Sequence, residues 1–117
     1  GDDYVQIHYK LNDQITFEIE ADTQVEAFKD IVSTKEVFGP MFDKCGVCRS
    51  DYGVSPRTRL NKNEDVFYEY VCNNGKCRAV LNLSQNRKGG GLYPQRKDKE
   101  GNWLPNSGWV KWEGKKD

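Results

Sequence analysis

Four cysteines stand in two close pairs. Cys45-Gly46-Val47-Cys48 is followed by 23 residues, and then by Cys72 and Cys77 with four residues between them. Two thiol pairs one hairpin apart suit a tetrahedral zinc ion, whose Zn–S bonds are about 2.3 Å. A C-x2-C turn presents two sulfurs from one side, and strands leading away from it bring the second pair back beside the first. Gly46 and Gly75 suit tight turns at the two pairs. Four protein ligands leave no position open for water, which marks such a site as structural rather than catalytic. The four-residue gap of the second pair departs from the commoner two. Two disulfides, a redox C-x-x-C pair and an iron–sulfur cluster are the rival readings. No export signal is visible at the N-terminus, which favours a reducing compartment. The redox motif would need a βαβ context that the flanking turn and strand patterns lack, and the hairpin spacing favours zinc over a cluster. The single histidine, His8, makes a His-based triad or a His-rich metal centre improbable.

A second set of residues has the types that bind nucleic acid. Alternation along Val66–Cys72 puts Tyr68 and Tyr70 on one face and Phe67 on the other. Arg57 and Arg59 have the same two-residue spacing on the preceding strand, which places them beside the tyrosines. Aromatic faces stack on unpaired bases, and cations track the phosphates of a single strand. The plainer reading of Tyr68 and Tyr70 is that they pack the sheet. The tail repeats this composition. Arg87, Lys88, Arg96, Lys97, Lys99, Lys111, Lys115 and Lys116 are interspersed with Tyr93, Trp103, Trp109 and Trp112. Some of the three tryptophans are expected in the core, and at least one beside the binding groove. Arg87–Gly91 is a basic, glycine-rich loop but not a phosphate-binding P-loop, since no G-K-[ST] follows.

Charge and pattern place these residues in a frame. The 117 residues fit one domain or two very small ones, and a chain of this size argues against a large multi-step enzyme. Hydrophobic residues make up 36%, so a small core needs a staple. No apolar run reaches the roughly 18–20 residues that span a bilayer. Net charge is zero, but residues 1–43 carry three Lys/Arg against ten Asp/Glu, and residues 44–117 carry fifteen against eight. That division points to a polyanion partner for the basic part, or to two faces that attract each other. Residues 4–11 and 15–21 alternate around Asn12-Asp13 and predict a β-hairpin, with His8 on its polar face. Thr23 and Glu26 form a capping box for a helix that Gly39-Pro40 ends; Val25, Phe28, Ile31 and Val32 are expected to lie over the hairpin. Strands are expected over residues 54–60, 66–72 and 78–83, with a short one over 108–112. Leu92-Tyr93-Pro94 and Trp103-Leu104-Pro105-Asn106 read as turns. The expected class is α+β: an acidic ββα unit over residues 1–43, packed on an antiparallel four-cysteine zinc ribbon with a basic, Trp-rich extension over residues 44–117.

The four cysteines, followed by Tyr93-Pro94, Arg96-Lys97-Asp98, Leu104-Pro105-Asn106 and Gly108-Trp109, resemble small zinc-ribbon proteins encoded by bacteriophages and prophages. Such proteins are often found among replication and recombination functions. The resemblance implies a nucleic-acid-related role in the cytoplasm of a bacterial host. Together with the residues it gives a functional expectation. Zinc on Cys45, Cys48, Cys72 and Cys77 holds a ribbon that binds single-stranded DNA through Arg57, Arg59, Tyr68, Tyr70, Arg87, Lys88, Tyr93, Arg96, Lys97, Trp103, Trp109, Lys111 and Trp112. The alternative is a protein–protein adaptor or an inhibitor of a host factor, with residues 1–43 docking a partner or a second copy. Catalysis is not expected: the carboxylates are scattered rather than clustered for a metal, and no nucleophile–base pair is present.

Overall fold

A computed structural model describes residues 4–86 and 90–111. The chain is mixed α+β and divides into two compact units, up to Gly39 and from Pro40. Among the described residues no helix is long and apolar enough to cross a membrane.

In the first unit β1 (Val5–Lys10) pairs antiparallel with β2 (Thr16–Ala21), in a register running from Val5 opposite Ala21 to Lys10 opposite Thr16. The Asn12 side chain closes the connection, accepting from the backbone N–H groups of Gln14 (2.8 Å) and Ile15 (2.9 Å). Alternation turns Val5, Ile7, Tyr9, Phe17 and Ile19 to one face and leaves Gln6, His8, Glu18 and Glu20 exposed on the other. Helix α1 (Gln24–Phe38) starts where Thr23 Oγ1 accepts from Glu26 N at 3.1 Å. It buries Ala27 and Val37, and Phe38 meets Phe17 with ring centroids 5.0 Å apart.

The stripe expected to cover the hairpin is therefore displaced. Val25, Phe28 and Val32 are exposed, Phe28 at 70%, and only Ile31 of the expected four is partly buried. Two strands lie only about 4.8 Å apart, so the hairpin is too narrow to cover a broad helical stripe. The small side chain of Ala27 lets the helix approach along the line from Ala27 to Phe38.

The second unit is an antiparallel sheet. Its strands are β3 (Val54–Leu60), β4 (Val66–Cys72), β5 (Val80–Gln85), β6 (Leu92–Pro94) and β7 (Trp109–Val110). The order is β3-β4-β5-β6, and β7 takes the other end of the same edge of β5: Leu83–Gln85 pair with β6, and Val80 and Leu81 with β7. Prolines fall on edge strands (Pro56 in β3, Pro94 in β6), where a missing N–H is tolerated. Two expectations shift. The third strand starts at Val80 rather than Arg78, because Arg78 takes a positive φ of 54° in the turn after Cys77. Leu92–Pro94 is a strand, since an edge of β5 is open to receive it.

The core of this unit is Cys45, Val54, Tyr70, Cys72, Cys77, Ala79, Leu81 and Trp109, with Met41, Val47, Cys48 and Leu83 against it. Trp109 reaches it through a left-handed turn. Asn106, Ser107 and Gly108 have φ of 57°, 56° and 97°, and Arg96 Nη1 braces the turn by donating to Ser107 O at 2.6 Å. The indole then lies on Gly46, where a Cβ would stand 2.5 Å from Trp109 Cδ1. Gly75 is different, since a Cβ there meets nothing within 4 Å and its φ is not positive. Gly46→Ala is therefore expected to lower stability by about 1–3 kcal/mol through overpacking. Gly75→Ala should stay within about 0.5 kcal/mol of the parent. Thermal unfolding of the two variants checks this.

Candidate metal centre and the exposed sheet face

Two turns carry the sulfurs. In the first, Val47 N donates to Cys45 Sγ (3.3 Å) and Arg49 N to Cys45 O (3.0 Å). In the second, Asn74 N donates to Cys72 Sγ (3.4 Å), and Cys77 N and Arg78 N donate to Asn74 O (2.9 and 3.0 Å). The extra residues of the second turn are absorbed by Asn74, whose Oδ1 also accepts from Lys76 N at 3.0 Å. Each turn closes on an arginine in the left-handed region, Arg49 (φ 53°) and Arg78 (φ 54°). The strands set the two turns face to face: Val54 opposes Cys72, and Cys72 N donates to Ala79 O at 2.8 Å.

All four Sγ atoms lie within 4.8 Å of one another. Across the turns, Cys48 Sγ lies 3.5 Å from Cys72 Sγ and Cys45 Sγ 3.8 Å from Cys77 Sγ. A tetrahedron with bonds of 2.3 Å has sulfur–sulfur edges of about 3.8 Å, so the donor set fits a tetrahedral thiolate-bound cation. The thiols differ in readiness. Hydrogen bonds with Ser50, through its hydroxyl and its backbone, draw Cys48 down to about 6. Burial pushes Cys72 up to about 12, and pushes Cys77 up as well. Asn74 Nδ2 reaches across to Cys48 Sγ at 3.8 Å, so the second turn also supports a ligand of the first. Four thiolates around a dication carry a net charge of −2, and Lys44, Arg49, Lys76 and Arg78 stand next to the cysteines in the chain.

The residues expected to bind nucleic acid are not gathered in one place. Tyr68 and Tyr70 share the face that carries Thr58, Pro56, Leu81 and Leu83, opposite to the side of Arg57 and Arg59. Arg57 opposes Glu69 and Arg59 opposes Phe67. The expected grouping of tyrosines with arginines is thus corrected by the register, which offsets the two pairs by one residue. Tyr70 is 2% exposed and Trp109 6%, so both rings are core residues that cannot stack on a base. Tyr68 is half-buried.

The outward face carries a different set. Following the register, Arg59, Phe67, Ser84 and Tyr93 form one row across β3 to β6. Phe67 and Tyr93 are exposed, and the Arg59 guanidinium lies 4.7 Å from the Phe67 ring centroid. Beyond the row, Trp103 is 70% exposed with Lys97 Nζ 4.5 Å over its ring, and Lys111 is exposed. Arg87, Lys88 and Trp112 lie outside the described residues.

Three residues that sequence reasoning passed over belong to these sites: Ser50 and Asn74 beside the sulfurs, and Glu69 beneath the arginines. Glu69 had a visible signal, as a lone acid in the apolar run VFYEYVC between two aromatics. Ser50 and Asn74 had none beyond their nearness to cysteines.

Because Cys72 and Cys77 hold their protons at neutral pH, a metal must displace both. The apparent metal affinity is expected to rise with pH by about 100-fold per unit or more near neutrality, and to fall correspondingly on acidification. Competition with a chromophoric chelator across pH measures that slope. Comparison with protein-family models, with curated proteins and with solved structures gives no match for this chain.

Proposed function

We propose that Cys45, Cys48, Cys72 and Cys77 hold one zinc ion, that this ion staples a zinc ribbon, and that the ribbon's outward face binds single-stranded nucleic acid. The role of the metal is structural: four protein sulfurs fill the coordination sphere, and the reading includes no catalysis. The setting is the one that the resemblance to small phage-encoded proteins implies, DNA replication or recombination in a bacterial cytoplasm.

The observation that carries the binding half is the row Arg59–Phe67–Ser84–Tyr93, in which Arg59, Phe67 and Tyr93 are exposed. Exposed rings and guanidiniums at strand spacing meet successive bases and phosphates of an unpaired strand, whereas a duplex hides its base faces. The excess of fifteen basic over eight acidic residues in 44–117 supplies the longer-range attraction. Trp103 with Lys97 extends the same chemistry. Tyr70 and Trp109 take no part beyond packing.

The second reading, a protein adaptor or host-factor inhibitor, has its own observation. Val25, Phe28 and Val32 form an exposed apolar stripe on the helix of the acidic unit. Pull-down from host lysate after nuclease treatment separates the two readings; a partner retained there and lost in Phe28→Asp favours the adaptor.

Elemental analysis of the purified chain is expected to give one zinc per chain. Fluorescence anisotropy with a labelled single-stranded oligonucleotide is expected to show binding that weakens with salt, by about 0.7 in log–log slope for each phosphate neutralised. Phe67→Ala and Tyr93→Ala should each cost about 1–3 kcal/mol of that affinity. Absence of binding at micromolar protein in low salt removes the nucleic-acid reading.

A further inference from the structure

Glu69 is the one charged side chain that is fully buried among the described residues, at 1% exposure. Both of its carboxylate oxygens are occupied. Oε2 accepts from Arg57 Nε at 2.7 Å and from Arg57 Nη2, and Oε1 accepts from Arg59 Nε at 2.9 Å. The two arginine side chains remain 37% and 48% exposed. One carboxylate against two guanidiniums leaves a net positive charge, carried by two side chains that stay partly exposed. Arg59 of this pair lines a groove whose walls also include Asp65, Phe67, Asn82, Ser84 and Gln95, and Arg57 stands outside that lining, tied to it through Glu69.

A sheet does not need such a triad for stability, because apolar side chains of similar volume serve as well or better. What the triad does is fix two long side chains before any ligand arrives. A free arginine loses rotamer freedom when it meets a phosphate, whereas a braced one has already lost it. Guanidinium forks also match phosphate geometry in a way that a lysine point charge does not.

We propose that Arg57 and Arg59, braced by Glu69, form one phosphate site of the nucleic-acid strand, with the adjoining base directed along the groove over Phe67. Glu69 is its positioning residue. This rests on the nucleic-acid reading above. It has a consequence of unusual sign: removing a negative charge from a polyanion-binding face weakens binding.

The test measures the affinity for a labelled single-stranded oligonucleotide, and its salt dependence, in the parent chain, Glu69→Gln and Arg57→Lys. Melting temperature and zinc content establish folding. Folded Glu69→Gln is expected to bind about tenfold more weakly or worse, with the salt slope reduced by about 0.7 for the lost phosphate. Arg57→Lys, at unchanged charge, is expected to move in the same direction. If Glu69→Gln binds as tightly as the parent or tighter, the inference falls and the nucleic-acid reading stands. Weaker binding with an unchanged salt slope also overturns it, because a general loss of structure explains that result. If Glu69→Gln does not fold, Arg57→Lys decides: a weaker complex with a reduced slope supports the phosphate site, and an unchanged complex overturns it. If the parent chain itself does not bind, the nucleic-acid reading fails and takes this inference with it.

Discussion

Four sulfur atoms from two turns, all within 4.8 Å, set the central constraint on the larger unit. Three of the four cysteines are buried, and they form a large part of a core otherwise made of Val54, Tyr70, Ala79, Leu81 and Trp109. A core this small gives little hydrophobic stabilisation. Crowded thiolates without a cation would repel one another, and protonated thiols pack only as small apolar groups. A bound dication reverses both effects, and its binding free energy becomes folding free energy. The dependence extends beyond the ligands. Trp109 lies on Gly46 inside the first turn, so the last described strand is seated on the same centre that the first turn builds. Arg49 and Arg78, each at positive φ, directly follow Cys48 and Cys77 in the chain.

Period-two alternation then divides labour across the sheet. One face receives Tyr70, Leu81 and Trp109 and packs on the sulfurs; the other receives Arg57, Arg59, Phe67, Ser84 and Tyr93. A slip of one residue would exchange these sets. The Glu69 carboxylate under two arginines resists such a slip, since a one-residue shift sends the arginines and Glu69 to opposite faces and leaves a charge buried without its partners. Stability and the proposed binding face thus rest on the same register.

Much of this was legible in the chain. The spacing of the cysteines foretold their convergence, and the apolar–polar alternation gave the β1–β2 hairpin, because a strand with one buried face writes its period into the sequence; β3 and β4 also have the expected ends. The capping role of Thr23 was equally local. What failed was relational. Tyr68 and Tyr70 were set beside Arg57 and Arg59 because each pair has the right spacing, but spacing within a strand says nothing about the offset between strands, which the turn at residues 61–65 decides. There Asn61 Oδ1 accepts from Asn63 N and Asp65 N (2.8 and 3.0 Å), and Glu64 takes a positive φ. The helix stripe failed for a similar reason: Val25, Phe28 and Val32 are as apolar as a core face, but the width of the partner hairpin decides how much is covered. The fate of Trp109 depended on the left-handed turn at 106–108, where only Gly108 gave a local sign.

The most direct measurement follows the seating of Trp109 as metal is withdrawn. In a chain carrying Trp103→Phe and Trp112→Phe, the remaining indole reports on the core around the sulfurs. Chelation is expected to shift its emission toward that of solvent-exposed tryptophan and to abolish the cooperative thermal transition of the larger unit. One equivalent of zinc is expected to restore both. An emission maximum and a transition that stay unchanged after complete removal of metal would contradict the claim that a four-sulfur centre holds this fold together.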